Sequence, residues 1–219
     1  MEPFLAMNFE IVCFDCDSTL SKIEGIDELA KRVGLGEQMA ALTTAAMNGE
    51  VPLEAIYAKR LDLIRPDADA ITWVAQLYID LITPGALETV QELQRQGKRV
   101  HIISGGLRQA ILPLADHLGV PHEQVHAVDV FFNADGSYQG FDHESALAKT
   151  GGKAQICKQI NSRAVPMVMV GDGQTDLEAQ QAGATVIGFG GVEARPAVIK
   201  RADFFTHGPS LQAVLEFIC

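Results

Sequence analysis

The chain has 219 residues, 47% of them hydrophobic, with 28 acidic against 17 basic side chains and a net charge of −11. That is length for one large domain, or a domain carrying an insertion, around a sizeable core. No basic run and no apolar stretch of bilayer-spanning length occur, which excludes nucleic acid and membrane as expected partners. An anionic ligand must therefore be met by local cations set against the overall field.

Met1 to Asn8 has neither a basic start nor a sustained apolar core, so no signal peptide is expected there. The four cysteines, Cys13, Cys16, Cys157 and Cys219, read as free thiols of a reducing cytosol. Cys13 and Cys16 have C-x-x-C spacing, but residues three apart in a strand face opposite sides, and no second pair completes a zinc site. The expected location is cytoplasmic.

The first element is a short apolar run, Ile11 to Phe14, which reads as a buried strand. From Glu24 the pattern becomes helical: Glu24 to Val33 with a stop at Gly34, Glu37 to Met47 ending near Asn48-Gly49, Pro52 to Ile64 with proline in its first turn, and Asp67 to Ile79. No strand signal occurs between about residues 22 and 80, so this is a helical insertion after the first strand. Alternation then resumes. Ala86 to Gln96 reads as a helix, Arg99 to Ile103 as a strand, Ser104-Gly105-Gly106 as a tight loop and Leu107 to Leu118 as a helix. Val125 to Phe132 and Ser137 to Phe141 read as a hairpin around Asn133-Ala134-Asp135-Gly136. A helix from Lys153 to about Asn161, a strand over Met167–Val170, a helix over Thr175–Ala182, a strand over Ala184–Phe189, a helix over Ala194–Arg201, a strand over Asp203–Thr206 and a closing helix over Pro209–Ile218 complete the chain.

Strands alternating with helices imply an α/β fold: a Rossmann-like, mostly parallel sheet with helices on both faces. The expected domains are a core made of residues 1–20 and 81–219 and a small helical cap at 21–80, seated over the end of the sheet where the first strand finishes.

Four clusters fall where strands end. Asp15 and Asp17 are two apart, so in extended chain both carboxylates reach one volume above the strand's carboxyl end, where parallel α/β sheets place their ligands. Two close carboxylates persist with a cation between them or a shared proton. Ser104-Gly105-Gly106 offers backbone N–H groups to an anion. Gly151-Gly152-Lys153 puts a compact cation at a helix start; it is not a Walker loop, because Ala154 stands where Ser or Thr should be. Asp172, between Gly171 and Gly173 after a buried strand, adds a carboxylate, and Asp176 follows one helical turn on.

One set of roles fits all four. Asp15 is the nucleophile toward phosphorus and Asp17 the general acid/base. Mg²⁺ is held by Asp15, Asp172 and the backbone carbonyl of Asp17. Ser104, Gly105, Gly106 and Lys153 hold the phosphoryl oxygens. The rival from another class is a receiver domain that stores phosphate on an aspartate; it has no inserted cap and no use for a second aspartate as acid/base. His117, His122 and His126 are spread over a helix end, a loop and a strand and read as surface residues. Gly188-Phe189-Gly190-Gly191 is not a dinucleotide fingerprint.

Asp15-Cys16-Asp17-Ser18-Thr19, Ser104-Gly105-Gly106, Gly152-Lys153 and Gly171-Asp172-Gly173-Gln174-Thr175-Asp176 resemble, in order and in strand context, the four motifs of the haloacid dehalogenase superfamily in its phosphatase branch. The resemblance covers essentially the whole chain. It implies Mg²⁺-dependent hydrolysis of a small-molecule phosphomonoester through an aspartyl-phosphate. With the stretches around Glu24, Met47 and Arg60 it implies O-phosphoserine as substrate, released as serine and phosphate in serine biosynthesis. Another small phosphoester, or phosphate transfer to an acceptor, is the alternative. It further implies that Glu24 receives an ammonium and Arg60 a carboxylate, that Met47 and Thr175 line the substrate pocket, and that Asp176 supports the lysine. Two departures stand out: Cys16 replaces a more usual apolar residue, and Asn48 stands where glycine often occurs. A homodimer is left open.

Overall fold

A computed structural model describes residues 8–48 and 50–219. The reading of Met1 to Met7 and the Gly49 end of the second helix lie outside the described residues.

The sheet grows outward from β1 (Ile11–Phe14), four residues that are all buried. A strand covered on both faces reads as an unbroken apolar run, and this one does. β1 pairs in parallel with β2 (Arg99–Leu107) on one side and β6 (Met167–Gly171) on the other. Beyond β2 lies β3 (Val125–Val128), and beyond β6 lie β7 (Thr185–Phe189) and β8 (Phe204–Thr206), giving the order β3-β2-β1-β6-β7-β8. Every pairing in this sheet is parallel. The chain order reverses direction across the sheet at β1, between β2 and β6. This is the switch point at which open α/β sheets leave a crevice at their carboxyl edge.

Four helices lie between β1 and the next core helix: α1 (Gly25–Arg32), α2 (Gly36–Met47), α3 (Leu53–Ile64) and α4 (Ala68–Asp80). Pro52 sits at the N-cap of α3 rather than inside its first turn. Asp67 caps α4 by accepting from the Ala70 N–H at 2.7 Å, as a short carboxylate does at an N-cap. The entry and exit of this helical stretch are joined at its base. Lys22 N donates to Leu81 O at 2.9 Å, Thr83 N to Leu20 O at 2.9 Å, and Ser21 bridges Ile82. The remaining core helices include α5 (Ala86–Arg95), α6 (Arg108–Leu118), α7 (Gly152–Ile160), the single turn α8 (Gln174–Leu177), α9 (Pro196–Arg201) and α10 (Leu215–Ile218).

Several expectations are corrected. Ser104-Gly105-Gly106 is not a tight loop: β2 runs on through it to Leu107, with its register against β3 shifting between Ile103 and Leu107. The glycines allow that irregularity while the chain stays extended. Val125–Phe132 is two strands, not one. Val125–Val128 joins the main sheet, and after Asp129 the short β4 (Val130–Phe132) turns away to pair with β5 (Tyr138–Phe141). The helix expected at Thr175–Ala182 is α8 followed by a tighter 3₁₀ turn over Glu178–Ala182.

His126 is half-buried rather than a free surface residue. Its Nε2 lies 3.1 Å from Nδ1 of His101, and the rings stack at 5.3 Å. His101 is buried, and its Nε2 has no partner among the described residues. Burial first, then the neighbouring His126 and Arg99, push His101 down to about 4. A depressed histidine is folded in its neutral form, so its contribution is complete above the unfolded value near 6.5 and is lost as pH falls toward 4. We expect the protein to lose about 2–3 kcal/mol on this account between pH 7 and pH 4. Urea unfolding at both pH values tests it: His101→Phe should flatten that acid limb, and parallel curves for wild type and variant would discard the assignment.

Candidate active site

The carboxyl edge of β1 sets the site. Asp15 N donates to Val170 O at 2.9 Å, which locks the first residue past β1 against the end of β6. The chain then makes a wide turn over Cys16–Leu20, closed by Ser21 N to Cys16 O at 3.0 Å. Within it Ser18 has φ 52°, a left-handed conformation that costs a non-glycine residue energy. The bend carries Ser18 Oγ to within 2.9 Å of Glu24 Oε1, to which it donates.

Asp15 is buried. Its Oδ1 accepts from Cys16 N at 2.7 Å and its Oδ2 lies 2.8 Å from Lys153 Nζ. Lys153, from the first turn of α7, is 4% exposed and also pairs with Asp176 Oδ1 at 2.6 Å. Burial opposes its charge, but the two carboxylates outweigh it and hold the ammonium well above the ordinary lysine range. Asp176 Oδ2 accepts from Gly173 N at 2.9 Å, so both its oxygens are engaged. The Asp176 carboxylate also packs where a side chain at position 171 would begin, which is why β6 ends in glycine.

Asp17 is oriented differently. Its Oδ1 accepts from Gly25 N at 2.6 Å and from the Tyr78 hydroxyl at 2.7 Å, and Ser104 Oγ donates to its Oδ2 at 3.3 Å. Burial, then the charge of Asp15, push it up to about 6. A carboxyl so tuned suits proton transfer near neutrality. Ser104 Oγ in turn accepts from Gly106 N at 3.0 Å.

Asp172 lies just past β6. Arg195 Nε donates to its Oδ2 at 2.9 Å, and Thr19 Oγ1 stands 3.5 Å from its Oδ1. Burial and the charge of Asp15 push it up to about 7. Arg195 also reaches Glu24 Oε1 at 3.5 Å. Glu24 is held well above the ordinary carboxylate range by burial and by Asp17 and Asp172.

Asp15, Asp172 and Asp176 offer oxygens within 4.8 Å of one another, all buried. Asp15, Asp17, Glu24, Asp172 and Asp176 together outnumber Lys153 and Arg195, the cations that touch them. An all-oxygen donor set with excess negative charge fits a hard divalent ion.

The cavity above this edge is lined by Asp15, Asp17, Ser104, Lys153 and Thr175 from the sheet side and by Glu24, Met47 and Arg60 from the inserted helices. Gly105 and Gly106 line it too, and Tyr57 fixes that wall by donating to Gly105 O at 2.8 Å. Arg60 is 4% exposed; its Nη1 donates to Thr43 Oγ1 at 3.2 Å, while its Nε has no partner among the described residues. Met47 Sδ comes within 3.0 Å of where a side chain on Gly173 would start. Every sequence-derived candidate thus lines one volume, apart from Asp172 and Asp176, which do not line it but lie close to Asp15.

Arg195, Tyr78 and Thr43 were not anticipated. Arg195 lies beyond the end of β7, past Gly190 and Gly191, where no strand boundary marks it. Tyr78 and Thr43 carry no signal either, being single residues of amphipathic helices.

A parallel sheet with an aspartate pair at its central strand end, a buried lysine and a second acidic strand end defines a hydrolase class. The chain belongs to the haloacid dehalogenase-like hydrolases, whose family model matches residues 9–183. Phosphatases of this family generally use a divalent metal, in keeping with the acidic cluster. Within the family the chain is similar to phosphoserine phosphatases. It is 40% identical over 199 residues to the chloroplastic phosphoserine phosphatase of Arabidopsis thaliana, covering 89% of this chain and 68% of that one. It is 37% identical over 198 residues to the phosphoserine phosphatase of Homo sapiens, covering 90% and 88%. A solved structure described as a phospho-aspartyl intermediate analogue of phosphoserine phosphatase superposes with a TM-score of 0.78 at 26% identity, covering 97% of this chain and all of that one. No helix among the described residues is long and apolar enough to cross a membrane.

Proposed function

We propose that this chain hydrolyses O-phosphoserine to serine and phosphate, with Mg²⁺ as its metal, as the closing reaction of serine biosynthesis. The observation that carries the reading is that Glu24 and the part-unpartnered guanidinium of Arg60 line the same cavity as Asp15, Ser104 and Lys153. A free phosphorylated amino acid brings an ammonium, a carboxylate and a phosphate, and each has a counterpart there.

Asp15 attacks phosphorus through a carboxylate oxygen. As the P–O bond to serine breaks, Asp17 gives its proton to the leaving oxygen. It then takes a proton from water, which attacks the phosphorus of the aspartyl-phosphate and returns Asp15 free. Ser104, the backbone of Gly105 and Gly106, and Lys153 hold the phosphoryl oxygens. Asp15 and Asp172, with the backbone carbonyl of Asp17, would hold the Mg²⁺, which when bound would offset the charge of nucleophile and phosphate. Residues 21–80 act as a cap over a core of 1–20 and 81–219, with Met47 and Thr175 shaping the pocket at their meeting. The free thiols Cys13, Cys16 and Cys157, all buried, accord with a cytoplasmic enzyme.

Phosphate release with Mg²⁺ should be faster on phosphoserine than on phosphothreonine or glycerol phosphate, and a chelator should stop it. Arg60→Ala should cost about 100-fold in kcat/KM on phosphoserine, the value of a charge-assisted carboxylate contact left unmade. A protein with its metal that released no phosphate from phosphoserine would overturn the proposal.

A further inference from the structure

Arg60 does not reach into the cavity unsupported. Thr43 Oγ1 accepts from Arg60 Nη1 at 3.2 Å and donates to Asp27 Oδ1 at 2.6 Å. Asp27 lies on α1, Thr43 on α2 and Arg60 on α3, so one chain of hydrogen bonds ties three successive helices. Thr43 is 2% exposed and Asp27 9%. The direction of the chain is fixed by chemistry. Arginine only donates, so Thr43 must accept there, and its single hydroxyl proton is committed to Asp27. Among the described residues Arg60 makes no direct ion pair; the Asp27 charge reaches it through the hydroxyl. The Tyr57 ring lies under the guanidinium at 5.7 Å. One guanidinium edge is thereby spent on Thr43, while Nε keeps an unused donor.

We infer that Asp27 and Thr43 are positioning residues that set substrate selectivity: they fix the guanidinium plane so that its free donors face a carboxylate on the ligand. A direct Asp27–Arg60 pair would satisfy the arginine and remove it from recognition. The interposed hydroxyl holds it in place without neutralising it at contact. The inference rests on Arg60 as the carboxylate receiver and touches neither the nucleophile nor the metal ligands.

The test is the ratio of kcat/KM for phosphoserine to that for phosphoethanolamine, which keeps the ammonium and lacks the carboxylate. Both are measured on one preparation, so the ratio is independent of the folded fraction. Thr43→Val keeps the shape and removes the relay. It should lower the ratio about tenfold, through KM for phosphoserine rather than kcat. Thr43→Ser restores the hydroxyl and should hold the ratio within about twofold of wild type. A Thr43→Val ratio equal to wild type, or equal losses on both substrates, would overturn the relay. Arg60→Ala is the control for the reading beneath it: if that variant leaves the ratio unchanged, the carboxylate receiver is elsewhere. If it collapses the ratio while Thr43→Val does not, the receiver stands and the relay falls.

Discussion

Asp15→Asn should abolish phosphate release from phosphoserine, by about 10⁴-fold or more, as loss of a nucleophile within a concerted set does. The fold should survive it. An amide oxygen can keep one of the two bonds that Asp15 accepts, from the Cys16 N–H at 2.7 Å or from Lys153 at 2.8 Å, and Lys153 keeps Asp176 at 2.6 Å. The change also removes one negative charge from a buried site where burial and Asp15 already push Asp172 up to about 7. The same loss should show in metal binding without any turnover. At a hundredfold excess over Kd, Mg²⁺ should raise the wild-type Tm by about 5–10 °C. The variant should gain clearly less. Turnover within tenfold of wild type would mean that another residue attacks phosphorus.

The second large effect belongs to Lys153. It is 4% exposed and bonded to carboxylates on two sides, Asp15 at 2.8 Å and Asp176 at 2.6 Å. Removing one partner of a buried ion pair leaves charge with no solvent and no counterion, at a cost of about 3–5 kcal/mol. Lys153→Met should incur that cost in urea unfolding at pH 7.5 without divalent metal, because Asp15 and Asp176 then face each other and Asp172 unshielded. It should also lower kcat by about 10²–10³, the usual loss for one preorganised donor. A surface lysine would show neither effect. Unchanged stability would mean that the three carboxylates are screened by something other than this ammonium.

Much of this centre was legible from the chain because its parts sit where an apolar strand gives way to glycine or acid. Asp15 and Asp172 each mark such a boundary, which a parallel sheet brings to one edge, while Lys153 is marked by the glycine pair that opens α7. The strands that failed to read correctly did so for a related reason. Ser104-Gly105-Gly106 has turn composition, yet it runs extended between Ile103 and Leu107, which pair with His126 and Val128 of β3 on either side of it. Val125 to Phe132 is continuous in pattern, yet only tertiary pairing shows that the sheet keeps its first four residues and releases the rest to β5. His126 looked exposed because nothing local announces the buried His101 opposite it. Thr43, Tyr78 and Arg195 each make their contact across a long stretch of chain, to Arg60, Asp17 and Asp172, and no spacing rule reaches that far.

The grip on Asp17 has a consequence for timing. Two of its three donors, the Gly25 N–H and the Tyr78 hydroxyl, come from the inserted helices, and the third, Ser104, comes from the sheet. If those helices lift to admit an ester, they also release two of the donors that orient the carboxyl proposed to protonate it. On that reading entry and readiness exclude each other, and an ajar molecule would be an idle one. Only with the helices back over their guest would the acid regain its aim, so solvent in the open mouth would find no competent partner there.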